Sequence, residues 1–372
     1  MSTLRDYLPL NWTTALYRCL AGGLVLALAA CASLPSQQEV TSTEAVLPVP
    51  LVAGTAATDA RAAFRQVFCP LALSERGSGG EGSCEQWLWR LEDEPAAGLP
   101  QSLPPLRPSL RVFVVGGAFS GCFGDASLAY RRGLQSLQQA GLPVRSIAIE
   151  SRSGDQRNAE LIARALQAQP PAPGQQTLLI GYSKGAVDIL SFLATYPELA
   201  AAVDAVVSVA GPVQGSQVAS RGAWAYDTFL ASAFAGRCDP GDGLVVDSLL
   251  PETRQAWLEQ HPLPAHIRYY SVVAVTTEEH IARGLRLSWQ LLAGESRLND
   301  GQLVPREGLI PGSALLAYAN SDHWGVAIDI EDELTFFAAR PDTTAFPRSI
   351  LFEALLRYVG ADLEPDHVSD FR

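Results

Sequence analysis

A serine set between two glycines, in Gly181-Tyr182-Ser183-Lys184-Gly185, is the residue of this chain best suited to nucleophilic chemistry. The apolar run Thr177-Leu178-Leu179-Ile180 leads into it, and a helical pattern opens at Lys184. Strand, tight turn and helix in immediate succession would present the Ser183 hydroxyl on a bend that tolerates no bulky neighbours, in front of a helix N-terminus. Alone the five-residue pattern is weak, since a chain of this length shows it by chance roughly one time in eight. A hydroxyl also needs a base to take its proton and a third group to orient that base. Its company elsewhere in the chain therefore decides what Ser183 can do.

All five histidines follow Ser183. His261 and His266 stand among prolines, His280 is placed at the opening of a helix, and His367 lies in a polar tail. His323, in Asn320-Ser321-Asp322-His323-Trp324-Gly325, directly follows the apolar run 313–319 and so stands where a late strand ends. It is the candidate base. For the acid, Asp300 in Leu298-Asn299-Asp300-Gly301-Gln302 offers a carboxylate on a tight turn, able to fix an imidazole tautomer. Glu278 and Glu279 are rivals after another strand, and Asp322 is too near His323 in sequence to orient it comfortably.

An attacked carbonyl develops negative charge on oxygen, which backbone N–H groups can stabilise. One such donor is expected at Lys184, after the serine, and the other in the loop Gly116-Gly117-Ala118-Phe119-Ser120-Gly121. Ala118 is the choice there and Phe119 the alternative. No G-x-G-x-x-G or Walker pattern accompanies those glycines, which argues against a phosphate site. Lys184 is the only lysine of the chain. It reads as a solvated first-turn residue, but positive charge at a helix N-terminus is unfavourable, which leaves open a role toward an anionic substrate group.

The elements that must position these residues begin near Leu110. Strands are predicted at 111–115, 146–149, 177–180, 205–209 and 267–275, with helices at about 126–140, 155–167 and 184–195. Each strand is almost continuously apolar, as when helices cover both faces of a parallel sheet. The fold class is α/β: a mostly parallel, doubly wound sheet. Residues 213–265 break the rhythm with Trp224, Tyr226, Phe229, Leu230 and Phe234, and read as an extra core helix or as a lid over an apolar groove.

Gly181–Gly185, the loop Gly116–Gly121, Ala210-Gly211-Pro212-Val213-Gln214-Gly215-Ser216, Asn299-Asp300-Gly301 and His323 together resemble bacterial lipases and esterases of the α/β-hydrolase superfamily. The resemblance spans about residues 110–360. It implies catalytic Ser183, Asp300 and His323, in the chain order of that fold, and hydrolysis of carboxylic esters through an acyl-enzyme. Gly116 stands where many of those lipases carry His, and Gly325 where they carry a calcium ligand, which sets this chain apart from true triacylglycerol lipases. No cofactor or metal is expected. A phospholipase or acyltransferase using the same triad, and a non-catalytic hydrolase-fold lipoprotein, are the alternatives.

The chain has 372 residues, 48% hydrophobic and 18% charged, enough for a sizeable core. A net charge of −12 excludes a nucleic-acid partner, which needs a basic face. Residues 1–30 read as a signal peptide, with Arg5 and Arg18 ahead of an apolar stretch too short to span a bilayer. Leu28-Ala29-Ala30-Cys31 looks like a lipobox, which implies acylation of Cys31 and, with Ala32 next, an outer-membrane address in a Gram-negative bacterium, facing the periplasm or the cell surface. Membrane contact through that anchor and an ester or lipid substrate are the expected partners. Residues 31–58 read as a flexible tether, 59–109 as an N-terminal segment and Pro-rich linker, and 110–372 as the hydrolase domain. Four cysteines remain for an oxidising compartment, and the favoured pairs are Cys69–Cys84 and Cys122–Cys238.

Overall fold

The computed structural model describes residues 57–75, 84–90, 94, 102–120, 122, 124–225, 240–329 and 346–364. The chain divides into residues 1–42, none of which is described, and 43–372, to which everything below belongs. The leader, Cys31 and the tether up to residue 56 lie outside the described residues, as do Tyr226, Phe229, Leu230, Phe234, Cys238 and His367.

The described strands are β1 (Thr58–Asp59), β2 (Leu110–Val115), β3 (Val144–Ile147), β4 (Gln176–Tyr182), β5 (Ala205–Val209), β6 (Arg268–Val275) and β7 (Ala314–Asn320). They form one sheet in the order β1-β7-β6-β5-β4-β2-β3. Every pairing is parallel, so the expected "mostly parallel" sheet is parallel throughout. Thr58, assigned to the tether, instead opens the edge strand by pairing with Ala314. Along β2, Val112 and Val114 face one core while Phe113 and Val115 face the other. Leu178 and Ile180 of β4 alternate with Leu179 in the same way. Two buried faces per strand are the reason these segments read as unbroken apolar runs.

One face is covered by α1 (Arg61–Glu75), α2 (Arg131–Gln139) and, at the far end of the chain, a long helix at Arg348–Asp362. The other carries α3 (Asp155–Gln167) and α4 (Lys184–Thr195), followed by the short α5 (Pro197–Ala200). Within the interval 213–265 lie α6 (Gln217–Ala225) and α7 (Pro251–Gln260). Trp257 of α7 packs into the second core, so the later part of that interval is a core helix. The helix α8 (Arg286–Ala293) precedes β7, and the C-terminal helix is α9.

Register decides where the chemistry falls. Val115 pairs with Gly181, Tyr182 with Val209, Val209 with Val272 and Val275 with Asn320. The loops after β2, β4, β5, β6 and β7 therefore leave the same edge of the sheet, at the carboxyl ends where open α/β sheets hold their ligands.

The N-terminal segment is tied to that frame. Phe64 and Phe68 of α1 share a core with Val112, Leu316 and Phe352. This helix runs through Pro70, because burial of Leu71 and Ala72 offsets the lost N–H. The guanidinium of Arg65 grips Glu94 at 2.7 and 2.9 Å and donates to the Trp89 carbonyl. The disulfide Cys69–Cys84 is formed, closing a sequence separation of 15 residues. Removing that cross-link by Cys69→Ser with Cys84→Ser is expected to cost about 3 kcal/mol of stability. Urea denaturation measures it; an unmoved midpoint would mean the loop closure contributes nothing.

Candidate active site

Ser183 sits at φ 52° and ψ −130°, a conformation that L residues avoid. Three glycines make room for it. A Cβ at Gly181 would lie 2.4 Å from the Ala186 Cα, and one at Gly185 would lie 2.3 Å from the Val115 carbonyl oxygen. A Cβ at Gly117 would stand 2.8 Å from that of Ser183. The bend after β4 is therefore clamped between the end of β2 and the first turn of α4, which starts at Lys184.

The structure brings Ser183, His323 and Asp300 together. His323 Nε2 lies 2.8 Å from Ser183 Oγ, and His323 Nδ1 lies 2.7 Å from Asp300 Oδ2. A carboxylate can only accept, so Nδ1 carries the proton and Nε2 is left to accept from the serine. Asp300 Oδ1 accepts the N–H groups of Gln302 and Leu303 at 2.7 and 2.6 Å, which fixes the other oxygen on the imidazole. Gly301 turns the chain at φ 88°. His323 N–H donates back to the Asp300 carbonyl at 2.8 Å, so acid and base are also joined through the main chain. Both side chains are buried, whereas Ser183 is partly exposed.

Glu279 is exposed, and the other rival groups are occupied elsewhere. Asp322 accepts the Ala282 and Gly325 N–H groups at 3.0 and 2.7 Å, and Glu278 accepts from Gln290 at 2.9 Å. His261 stacks on Trp257, His266 meets the Ala200 carbonyl and His280 meets Thr277. In the loop after β2 the two candidate donors separate. The Phe119 N–H donates to the Ser151 carbonyl at 3.1 Å, while among the described residues no acceptor engages the N–H of Ala118 or of Lys184.

Lys184 overturns both readings of its side chain. It is fully buried, and its ammonium pairs with Asp188 one turn along α4. It is neither a solvated residue nor free to meet an anionic substrate group. Asn158 of α3 donates to the other Asp188 oxygen at 2.8 Å. Burial pushes the Asp188 carboxyl up, to about 6, against the pull of the Lys184 charge. The four-residue spacing on a helix was a usable sign of this pair. Tyr182 carried no such sign. Its hydroxyl donates to the His323 carbonyl at 2.8 Å, joining β4 to the histidine loop. Burial, followed by the Asp300 and Asp322 charges, holds that phenol well above its ordinary pKa and keeps it a donor.

Comparison with known proteins identifies the fold and the family. The solved metagenomic carboxyl esterase MGS0156 is 32% identical over 91% of this chain and 99% of its own, with a TM-score of 0.75. The chain belongs to that carboxyl esterase family, on the α/β-hydrolase fold. The propeptide form of Bacillus licheniformis lipase BlEst2 shares the fold at 19% identity, covering 69% of this chain and 52% of that one, with a TM-score of 0.50. No protein-family model matches the sequence, and no curated protein matches it significantly.

One further buried carboxylate stands close enough to Asp300 to feel its charge. Glu307 follows the acid turn and accepts the Val304 N–H at 2.9 Å and the Gln217 N–H, at the start of α6, at 3.0 Å. No sequence pattern pointed to it. Burial raises its pKa to about 7; the two backbone donors and Arg306 pull it down, and Asp300 pushes it up. A raised folded-state pKa means the native state holds this proton more tightly than the unfolded chain. The stabilisation is thus complete below the ordinary value of 4.5 and is lost as pH rises through about 7. Glu307→Gln should remove that component, so its melting temperature should fall less than that of the wild type between about pH 5 and pH 8. Parallel curves from differential scanning fluorimetry would assign the titration to another group.

Proposed function

We propose that the chain is a serine hydrolase that cleaves carboxylic esters through Ser183, His323 and Asp300. The observation that carries this reading is the unbroken line from Ser183 Oγ to His323 Nε2 at 2.8 Å and from His323 Nδ1 to Asp300 Oδ2 at 2.7 Å. As Ser183 attacks the ester carbonyl, Nε2 takes the hydroxyl proton, and Asp300 stabilises the imidazolium that forms. The tetrahedral oxyanion is met by the N–H groups of Ala118 and Lys184, the latter at the positive end of α4. His323 then returns the proton to the leaving alkoxide, leaving an acyl group on Ser183. Water, deprotonated by the same imidazole, releases the acid. The similar protein being a carboxyl esterase supports the substrate class. Burial of Lys184 removes the cation beside the nucleophile that a phosphorylated head group would use, which favours neutral esters over phospholipids.

The second part of the proposal is export and lipid anchoring through Cys31. Its supports are the Leu28-Ala29-Ala30-Cys31 pattern and the disulfide Cys69–Cys84, a bond that persists in oxidising compartments.

Ser183→Ala is expected to abolish both hydrolysis of short-chain aryl esters and labelling by a fluorophosphonate; labelling at the wild-type level would move the nucleophile elsewhere. Asp300→Asn should retain the fold yet lower kcat on the order of 10⁴-fold, because the imidazole loses its fixed tautomer. Metabolic labelling with an alkyne fatty acid should mark the full chain in a Gram-negative host and should vanish in Cys31→Ser. Equal labelling of the two would refute the anchor.

A further inference from the structure

Two N–H groups from distant segments must converge on one developing oxyanion, and the serine-hydrolase reading on which this rests says nothing of what keeps them in register. Direct packing supplies part of the answer, since Gly185 lies against the Val115 and Gly116 carbonyls. The rest runs behind the nucleophile through side chains that take no part in the chemistry. The Lys184 ammonium bonds Asp188 Oδ1, and Asp188 Oδ2 accepts Asn158 Nδ2 at 2.8 Å. Asn158 Oδ1 accepts the Glu150 N–H at 3.1 Å. One residue on, the Ser151 carbonyl accepts the Phe119 N–H at 3.1 Å. Phe119 directly follows Ala118. The line thus starts on the residue supplying one oxyanion donor and ends beside the residue supplying the other.

We propose that Lys184, Asp188 and Asn158 form a positioning relay that sets the distance and angle between the Lys184 and Ala118 N–H groups. Lys184, Asp188 and Asn158 are all 0% exposed. Burying an ammonium and a carboxylate costs several kcal/mol per ion, and apolar residues of similar size would often serve stability as well or better. An ion pair retained there at that cost is explained by what it orients. Phe119 adds a second argument, for it is held at φ 61°, which a bulky L residue keeps only where its surroundings over-determine it. The bond to Ser151 is one such constraint. Asp188 also offsets the lysine charge that would otherwise oppose the dipole of α4, leaving the Lys184 N–H at its start to face the oxyanion.

The charges around the relay are balanced without any substrate group. Arg254 of α7 is buried, stacks over Trp257 at 4.5 Å and stands 3.5 Å from Asp155, which also accepts from Ser191. Two cations and two carboxylates therefore share this region. Because they lie behind the turn, their effect on the reaction passes through the backbone of residues 118 and 184.

The test uses the double variant Lys184→Met/Asp188→Leu, which removes the pair without stranding a buried charge, and Asn158→Ala, which keeps the pair and cuts the line. Active sites are counted by fluorophosphonate titration, so turnover refers to folded, competent enzyme. An aryl trifluoromethyl ketone is the probe, since the hemiketal it forms with Ser183 places an oxyanion in the pocket. The double variant is expected to show kcat per site about 10-fold lower and probe Ki about 10-fold weaker, with KM within about 2-fold of wild type. Asn158→Ala should change kcat and Ki together by about 3-fold. A folded variant with wild-type kcat and Ki overturns the relay, as does a loss of kcat with Ki unmoved. If the double variant does not fold, Asn158→Ala decides by the same two readings. Failure of the wild-type protein to react with the fluorophosphonate would instead sink the serine-hydrolase reading itself.

Discussion

The site depends on how closely the first turn of α4 can approach the end of β2. Gly185 lies where any Cβ would strike the Val115 carbonyl, and Gly181 where a Cβ would strike Ala186. That approach forces Ser183 to a positive φ, and the same approach sets the loop after β2 beside it. Strain at the serine is thus the consequence of packing two elements face to end. The parallel pairing of Val115 with Gly181 holds both elements at the depth where this happens. Since interiors are close-packed, such a fit is kept or lost as a whole.

Around this contact the polar residues are divided by direction. Toward the open side, His323 and Asp300 are aimed at Ser183 by a turn whose own N–H groups saturate one carboxylate oxygen. Toward the core, the two variable positions of the glycine-serine-glycine motif both hold the bend from behind. Tyr182 reaches the histidine loop, and Lys184 reaches α3 by way of Asp188. Ser183 is the one residue of the five that is not buried.

The sheet was legible because each of its central strands has two buried faces, and unbroken apolar runs follow from that. Helices α3 and α4 were legible to the residue, although α3 buries one face and α4 is buried on every side from Lys184 to Leu193. What escaped had no local pattern to show. Strand β1 has two residues and exists only through its pairing with β7. Helix α1 outruns its proline because of tertiary burial, which no propensity scale contains. At the site, the turn chemistry of Asn299-Asp300-Gly301 singled out one carboxylate among several, because a tight Asp-Gly turn is a local property. The fate of Lys184 was misread for the opposite reason. A lone lysine looks solvated until its partner four residues on and the asparagine of another helix are seen to close over it.

The segment between β5 and β6 is fastened to the sheet edge at both of its ends. It leaves the sheet edge through Gly215 and Ser216 and comes back at Leu249 and Pro251. The Ser216 N–H bonds the Leu249 carbonyl at 2.9 Å, and a Cβ at Gly215 would lie 2.3 Å from the Pro251 Cα. Departure and return are therefore fastened to each other. The departing end is also fastened to the acid turn, since Ser216 Oγ donates to the Gln302 carbonyl at 2.8 Å and Glu307 accepts from Gln217 at 3.0 Å. The interval is also held further along, since Asp242 accepts the Gly154 N–H at 2.8 Å, just ahead of α3, and Arg221 donates to the Leu291 carbonyl at 3.2 Å. Ser216 and Glu307 therefore couple the base of this interval to the turn that holds Asp300.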